Sequence, residues 1–190
     1  MVIYNNASEN INDTARIIFE ILKVEHAGKV FNAFKDDRIY KYIPLLRYAT
    51  TRELEERYNT LSSKGPNDGT CVWLNWILRD KIIHQYIGWI QATIYNNGKA
   101  ALAYIIFPKY WRQGYAKEAC GSIIEHIFGT YSIESIFVEI DTKNEASIKL
   151  VKSLGFILVG EKKDADYFNG AKSDEYTFEL KKNSLSIRKP

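Results

Sequence analysis

The sequence predicts an α+β domain, on three observations: β-branched apolar runs bounded by turn residues, helical periodicity between them, and a two-residue hairpin signal at Asn97-Gly98. With 190 residues, 46% of them hydrophobic, the chain suits one continuous core rather than two. The expected layout is an N-terminal extension over 1–13, a single domain over 14–182 and a C-terminal tail over 183–190.

Element by element, Arg16 to Leu22 is apolar and β-branched enough for a first strand, preceded by polar Asn10, Asn12, Asp13 and Thr14. Ala27, Val30, Phe31 and Phe34 recur at i, i+3, i+4 and i+7, one face of a helix. A loop through Ile43-Pro44 leads to a second helix, which begins after Thr50 or Thr51 and carries Leu54, Tyr58 and Leu61 on one face. The run 62–69, rich in Ser, Gly, Pro and Asn, ends it. Three strands follow, Cys71 to Leu78, Ile82 to Tyr95 and Ala100 to Phe107, as an antiparallel meander. Gly88 marks a bulge or a close backbone approach in the long middle strand.

After Pro108, the residues Ala116, Ala119, Cys120, Ile123, Ile124, Ile127 and Phe128 hold the spacing of an amphipathic helix. A strand from Ile133 to Ile140 and a helix from Glu145 to Leu154, stopped by Gly155, come next. Two last strands, Phe156 to Lys162 and Glu175 to Lys181, flank a polar, aromatic loop with a turn at Asn169-Gly170. The order β-α-α-β-β-β-α-β-α-β-β gives seven strands and four helices, with no repeat and no low-complexity segment.

Composition excludes several roles. Lys and Arg number 26 against 23 acidic residues, a net charge of +3 with no concentrated basic stripe, so no nucleic-acid partner is expected. The first residues carry no basic n-region and no apolar run long enough for a signal peptide or membrane span, which makes a cytoplasmic protein without a membrane partner the default expectation. Cys71 and Cys120 stand 49 positions apart with no CxxC or His-rich setting. They read as small hydrophobes, and no metal site is expected.

The passage Phe107-Pro108-Lys109-Tyr110-Trp111-Arg112-Gln113-Gly114-Tyr115-Ala116 carries the chemistry. Pro108 cannot donate to a ladder and ends its strand. The helix that follows opens with unpaired N–H groups at the positive end of its dipole, an anion site. Small Gly114 and Ala116 admit a phosphate close to the backbone, with Arg112 and Lys117 adding charge. Taken alone, a Gly-x-Ala reads more simply as a tight turn.

Several spaced motifs in one order lift that reading. Thr14 to Phe19, Ile87-Gly88-Trp89-Ile90, Tyr104 to Ala119, Asn144-Glu145-Ala146-Ser147 and Leu154-Gly155-Phe156 together resemble the GNAT superfamily of N-acetyltransferases over about residues 14 to 180. Trp111, where most of the superfamily has Gln or Arg, is similar to the branch that acetylates ribosomal-protein N-termini. The resemblance implies a mixed, mostly antiparallel, splayed seven-stranded sheet flanked by about four helices, and acetyl-CoA as cosubstrate. It implies that the backbone of Ile105, Ile106 and Phe107 pairs with pantetheine amides, that Arg112, Gln113, Gly114, Tyr115, Ala116 and Lys117 hold the pyrophosphate, and that Asn144 and Ser147 belong to the cofactor site.

For catalysis the resemblance points to Ser147 as the group that meets the departing thiolate and to Asp166, before Tyr167-Phe168-Asn169-Gly170, as the base. Each has a plainer reading: Ser147 as a first-turn residue beside an Asn144 N-cap, and Asp166 as a solvated carboxylate starting a turn. Two usual positions are lost, since Val151 stands where many members have a Tyr acid and Ala101 where others have an acidic base. Tyr40, Tyr42 and Tyr167 are expected on the acceptor side. A modest base favours an α-amine, with a pKa of about 7.7–8.0, over a lysine amine near ~10.4. The expected reaction is direct acetyl transfer to a primary amine, such as a small amine or a protein N-terminus, by a monomer or homodimer. The alternatives are an acyl-CoA-binding module without turnover and a detoxifying enzyme for an amine antibiotic or polyamine.

Overall fold

The computed structural model describes residues 9–66 and 68–185. Residues 1–8 of the expected extension, Asn67, and residues 186–190 of the expected tail lie outside the described residues. The strands are β1 (Ile17–Ile21), β2 (Cys71–Asp80), β3 (Tyr86–Tyr95), β4 (Lys99–Ile106), β5 (Ser135–Asp141), β6 (Ile157–Phe168) and β7 (Ala171–Lys181). The helices are α1 (His26–Phe34), α2 (Thr51–Leu61), α3 (Tyr115–Thr130), α4 (Glu145–Ser153) and a terminal turn α5 (Lys182–Leu185). The strands form one sheet in the order β1-β2-β3-β4-β5-β7-β6, antiparallel throughout except for the β4–β5 pair.

Successive strand residues point to opposite faces and directly paired residues share one. Trp76 packs edge-on against His126 of α3 at 6.2 Å, whereas its neighbour Asn75 donates to the Leu61 carbonyl of α2. Phe107, at the end of β4, meets Phe34 of α1. α1 and α2 therefore cover one face and α3 the other. α4 joins α3, because Lys152 lies over Phe178, which the register places on the Trp76 side. Buried Ile90, Ile94, Ile123, Ile127, Ile136 and Phe178 make up much of the core.

Four boundaries differ from the sequence reading. The strand expected from Ile82 begins at Tyr86: the Asp80 carboxylate accepts from the N–H groups of Ile82 and Ile83, and this local bonding competes with the ladder and leaves both isoleucines exposed. The strand expected from Ile133 begins at Ser135. The chain between the first two helices holds a 3₁₀ turn at Asp37–Lys41, opened by Asp36, whose side chain accepts from the Arg38 N–H. Finally, the loop expected between Lys162 and Glu175 is the paired part of a long hairpin. Its residues are mostly polar and exposed on both faces, so no apolar alternation reveals it.

At Gly88 a Cβ would fall 2.3 Å from the Ile105 carbonyl oxygen, a close approach only glycine allows. The β2–β3 register also shifts opposite it, between Leu78 and Arg79. Cys120 is fully buried, and burial pushes its thiol up, out of reactive range; Cys71 is half-buried.

Candidate active site

The β4–β5 ladder pairs only Lys99–Ala101 with Ser135–Phe137, after which the strands diverge while each continues, β4 to Ile106 and β5 to Asp141. Inside this split the free edge of β4 has a defined polarity. The Phe107 N–H reaches the Ile87 carbonyl at 2.9 Å, so by alternation the backbone of Ile105 and Phe107 is engaged with β3 while that of Leu102, Tyr104 and Ile106 faces the gap. Of the three residues expected to meet pantetheine, Ile106 alone presents its backbone there. Its carbonyl already accepts from the Trp111 indole N–H at 2.6 Å, which leaves its N–H open.

The strand-to-helix turn stands at the end of that edge. Pro108–Tyr110 is a 3₁₀ turn; Arg112 at φ +61° and Gly114 at φ +83° then take left-handed conformations that swing the chain into α3. Within α3 the first intrahelical bond is Glu118 N–H to the Gly114 carbonyl, so the N–H groups of Tyr115, Ala116 and Lys117 have no partner inside the helix. Arg112, Gln113, Gly114 and Lys117 are exposed.

A chain of side chains holds the turn. The Arg16 guanidinium donates to the Gln113 carbonyl and to Glu118, and lies 4.6 Å from the Tyr115 ring centroid. The buried Tyr115 hydroxyl donates to Asp80 at 2.7 Å. Hydrogen bonds from the Ile83 N–H and then from Tyr115 hold the Asp80 carboxyl below its ordinary range.

Beside the split lies a cavity of about 150 Å³, lined on its walls by Tyr42, Tyr104, Asn144, Ser147, Asp166 and Phe168 among others. Its lining comes from both faces of the sheet. Asn144 caps α4, its side chain accepting from the Ser147 N–H at 3.2 Å, and both belong to the α3–α4 side. Tyr104 shares that side, paired through Ile90 with Trp76. Its hydroxyl is buried without a hydrogen-bond partner; burial pushes the phenol up, opposed in part by the nearby Ser147. The opposite face carries Glu139 and Asp141 of β5, Asp166 of β6 and Ser173 and Glu175 of β7, since Asp141 pairs with Glu175 and Asp166 with Ser173.

Asp166 reaches this position through a break in β6 between Lys162 and Asp166, where Asp164 takes φ +48° and the bulged strand re-aims its side chains. The hairpin tip, Asn169-Gly170 with both φ positive, is tied down by the Asn169 amide, which donates to the Tyr40 carbonyl at 2.8 Å.

An acetyltransferase (GNAT) domain model matches residues 16–157, about three quarters of the chain. The chain belongs to the GNAT superfamily. It is an acetyltransferase of the acetyl-CoA-dependent kind. It is 24% identical over 174 residues to the uncharacterized N-acetyltransferase YoaA of Bacillus subtilis, covering 90% of this chain and 97% of that one. Among solved structures it resembles the ribosomal alpha-N-protein acetyltransferase RimL in complex with coenzyme A, with a TM-score of 0.79, 15% identity and coverage of 90% and 97%. It also resembles spermidine N-acetyltransferase from Vibrio cholerae in complex with coenzyme A and spermine, with a TM-score of 0.75, 18% identity and coverage of 90% and 98%. These structural likenesses establish the shared fold.

In this GNAT domain Tyr42, Asn144, Ser147 and Asp166 meet in one cavity, while Arg112 to Lys117 form a separate surface at the head of α3. Tyr167 is 72% exposed and does not line the cavity. Tyr40 is buried and donates to the Phe34 carbonyl, a packing role. Val151 is buried in the core and Ala101 sits at the last β4–β5 pair, before the split opens, so neither position offers a polar group to it. Sequence reading missed Tyr104 and Glu175. Tyr104 entered only as the first residue of the Tyr104 to Ala119 stretch, with no role given to its side chain, and Glu175 as the start of a strand. Among the described residues no three His, Cys, Asp or Glu side chains are arranged to hold a metal, and no helix is long and apolar enough to cross a membrane.

Proposed function

We propose that the protein moves the acetyl group of acetyl-CoA to a primary amine, an α-amino terminus of the kind acetylated by the ribosomal-protein branch, by direct attack in a ternary complex. The observation that carries this reading is the two-sided cavity: Ser147 and Tyr104 on one side of the β4–β5 split, Asp166 on the other. In this reading the N–H groups at Arg112–Lys117 hold the pyrophosphate. The gap-facing backbone of Leu102, Tyr104 and Ile106 takes the pantetheine amides, and Asn144 fixes Ser147 beside the sulfur.

The amine enters from the carboxylate face. Asp166 takes its proton, directly or through one water, as the nitrogen attacks the thioester carbon. The gap-facing N–H of Tyr104, whose residue lines the cavity, supports the oxyanion. When the tetrahedral adduct collapses, the C–S bond breaks and the thiolate leaves against the Ser147 hydroxyl.

Free-thiol release with acetyl-CoA and a panel of peptides, polyamines and aminoglycosides tests it, with turnover expected for peptides bearing a free N-terminus and none for N-blocked controls. Ser147→Ala and Asp166→Asn should each lower kcat while sparing acetyl-CoA binding. A second reading, a cofactor-binding module without turnover, is favoured by Val151 and Ala101. Acetyl-CoA binding without thiol release above the uncatalysed rate for any acceptor would select it.

A further inference from the structure

From the distribution of charge around the split we infer that the acceptor is a dication: besides the attacked amine it carries a second positive charge, held by Glu175 and Glu139 on the face opposite Ser147. The inference rests on the reading of the cavity as the amine site and names the acceptor's chemistry.

Four carboxylates, Glu139, Asp141, Asp166 and Glu175, come from three strands to one face of one cavity, and its described lining includes no lysine or arginine. Elsewhere on the same hairpin acids are matched: Asp174 and Glu161 pair with Lys163, and Asp164 with Lys172. Within the cavity Asp141 is internally satisfied, accepting from the Ser173 hydroxyl and the Lys143 N–H. Glu139, Asp166 and Glu175 form no salt bridge among the described residues. Of the charges that act most on Glu175, only Lys162, its cross-strand neighbour, is positive, against Glu139, Asp166 and Asp141.

Asp141 and Glu175 are directly opposed like charges, an arrangement that costs stability in the empty protein. An occupant with positive charge removes that cost. Asp166 alone serves the attacked nitrogen, so Glu175 and Glu139 are available to a second centre.

A metal ion fits poorly, because no three of these side chains converge to hold one. Spread negative charge beside the aromatic Tyr42 and Phe168 instead suits an extended organic cation whose alkyl segment crosses the rings. On the Ser147 side of the same cavity the buried Tyr104 hydroxyl has no hydrogen bond of normal length, a second polar group open to a ligand atom. Two sources supply the chemistry: a di- or polyamine, and a peptide whose α-amine is followed by a basic side chain.

The test compares, on the full chain, pairs matched in shape that differ by one positive charge. 1,4-Diaminobutane is set against butylamine, and a tetrapeptide with Lys at its second position against the same peptide with norleucine. Each is followed by thiol release and, independently, by calorimetric binding to the protein saturated with coenzyme A. The dicationic member of at least one pair should win by about tenfold or more in kcat/KM or affinity, ~1.4 kcal/mol. The pair that shows the advantage identifies the source. Glu175→Gln and Glu139→Gln should each shrink the advantage while leaving acetyl-CoA binding as in the parent. Equal values within both pairs, or an advantage that survives both variants, overturns the inference. Selective dication binding without thiol release would uphold it while removing the transferase reading, and equal turnover of the singly and doubly charged members would do the reverse.

Discussion

The turn that opens α3 and the acceptor face of β5–β7 belong to the β4 and β5 sides of one split and are built on opposite plans. Around the turn the partly buried charges are matched, Arg16 with Glu118 and Asp80 with the Tyr115 hydroxyl and the N–H groups of Ile82 and Ile83, while Arg112 and Lys117 stand exposed. The anion is to be met by backbone N–H groups, and the side chains serve to hold that backbone still. On the acceptor face the side chains themselves meet the ligand, and three of four carboxylates stand unmatched. A site that takes an invariant cofactor can have its scaffold rigid and internally bonded before the cofactor arrives; one that selects an acceptor keeps its charge open for that acceptor.

The sharpest way to break this comparison is Gly114→Glu. Its φ of +83° costs an L-residue about 1–2 kcal/mol, a Cβ would lie 3.3 Å from the Arg16 guanidinium, and the new carboxylate stands where the pyrophosphate binds. Acetyl-CoA affinity measured by calorimetry should fall about 100-fold or more, ~2.7 kcal/mol. Unchanged affinity would move the pyrophosphate away from this turn.

Next comes Asp80→Asn, aimed at the scaffold of the turn. Its carboxylate receives two backbone N–H groups and the Tyr115 hydroxyl, and the amide can satisfy fewer donors. A loss of about 2 kcal/mol is expected, ~4–8 °C in Tm for a chain of this size. The pH dependence has a fixed sign. The folded-state pKa is depressed, so the stabilisation is present above the ordinary carboxylate range and disappears as pH falls through the folded value. The Tm gap between parent and variant should narrow in acid; a constant gap would mean that the carboxylate's charge is irrelevant.

Tyr104→Phe probes the reacting end of the cavity. The hydroxyl has no protein partner, so its removal should leave Tm unchanged or slightly higher. If it meets the thioester or the departing sulfur beside Ser147, kcat should fall by about tenfold with little change in acetyl-CoA affinity, the loss of one hydrogen bond to developing charge. A fall in Tm with unchanged kcat would assign the phenol to packing.

The same contrast governs what could be read from the sequence. Pro108, Gly114 and the apolar periodicity from Ala116 to Phe128 are local signals, and the turn they specify lies within one stretch of chain. The Asn169-Gly170 turn was legible for the same reason, though not the long hairpin it closes, as was Asn144 as a helix cap. The acceptor face was not, because its carboxylates come from residues 139 to 175 on three strands and meet only through pairing register. A break in β6 that carries no sequence mark sets the position of Asp166. Ile82-Ile83 misled in the other direction, since apolar residues exposed in an Asp80-capped turn look like strand.

The smallest expected effect discriminates most finely. Burial, then the charges of Glu139 and Asp166, raise the Glu175 carboxyl above its ordinary value, so its ionised form is disfavoured in the folded protein. A raised carboxyl contributes nothing adverse below its unfolded pKa and becomes a cost as pH rises through the folded value. Glu175→Gln should therefore raise Tm modestly near neutral pH and match the parent in acid, while it weakens discrimination for a dicationic acceptor. A structural carboxylate would behave in the opposite way, with a lower Tm near neutrality. Adding the favoured dication should close the gap from the parent's side, because it binds and stabilises only the protein whose charge is still open. A residue that costs stability when the site is empty and repays it when the site is filled is held for its ligand, and this variant separates that case from a residue held for the fold.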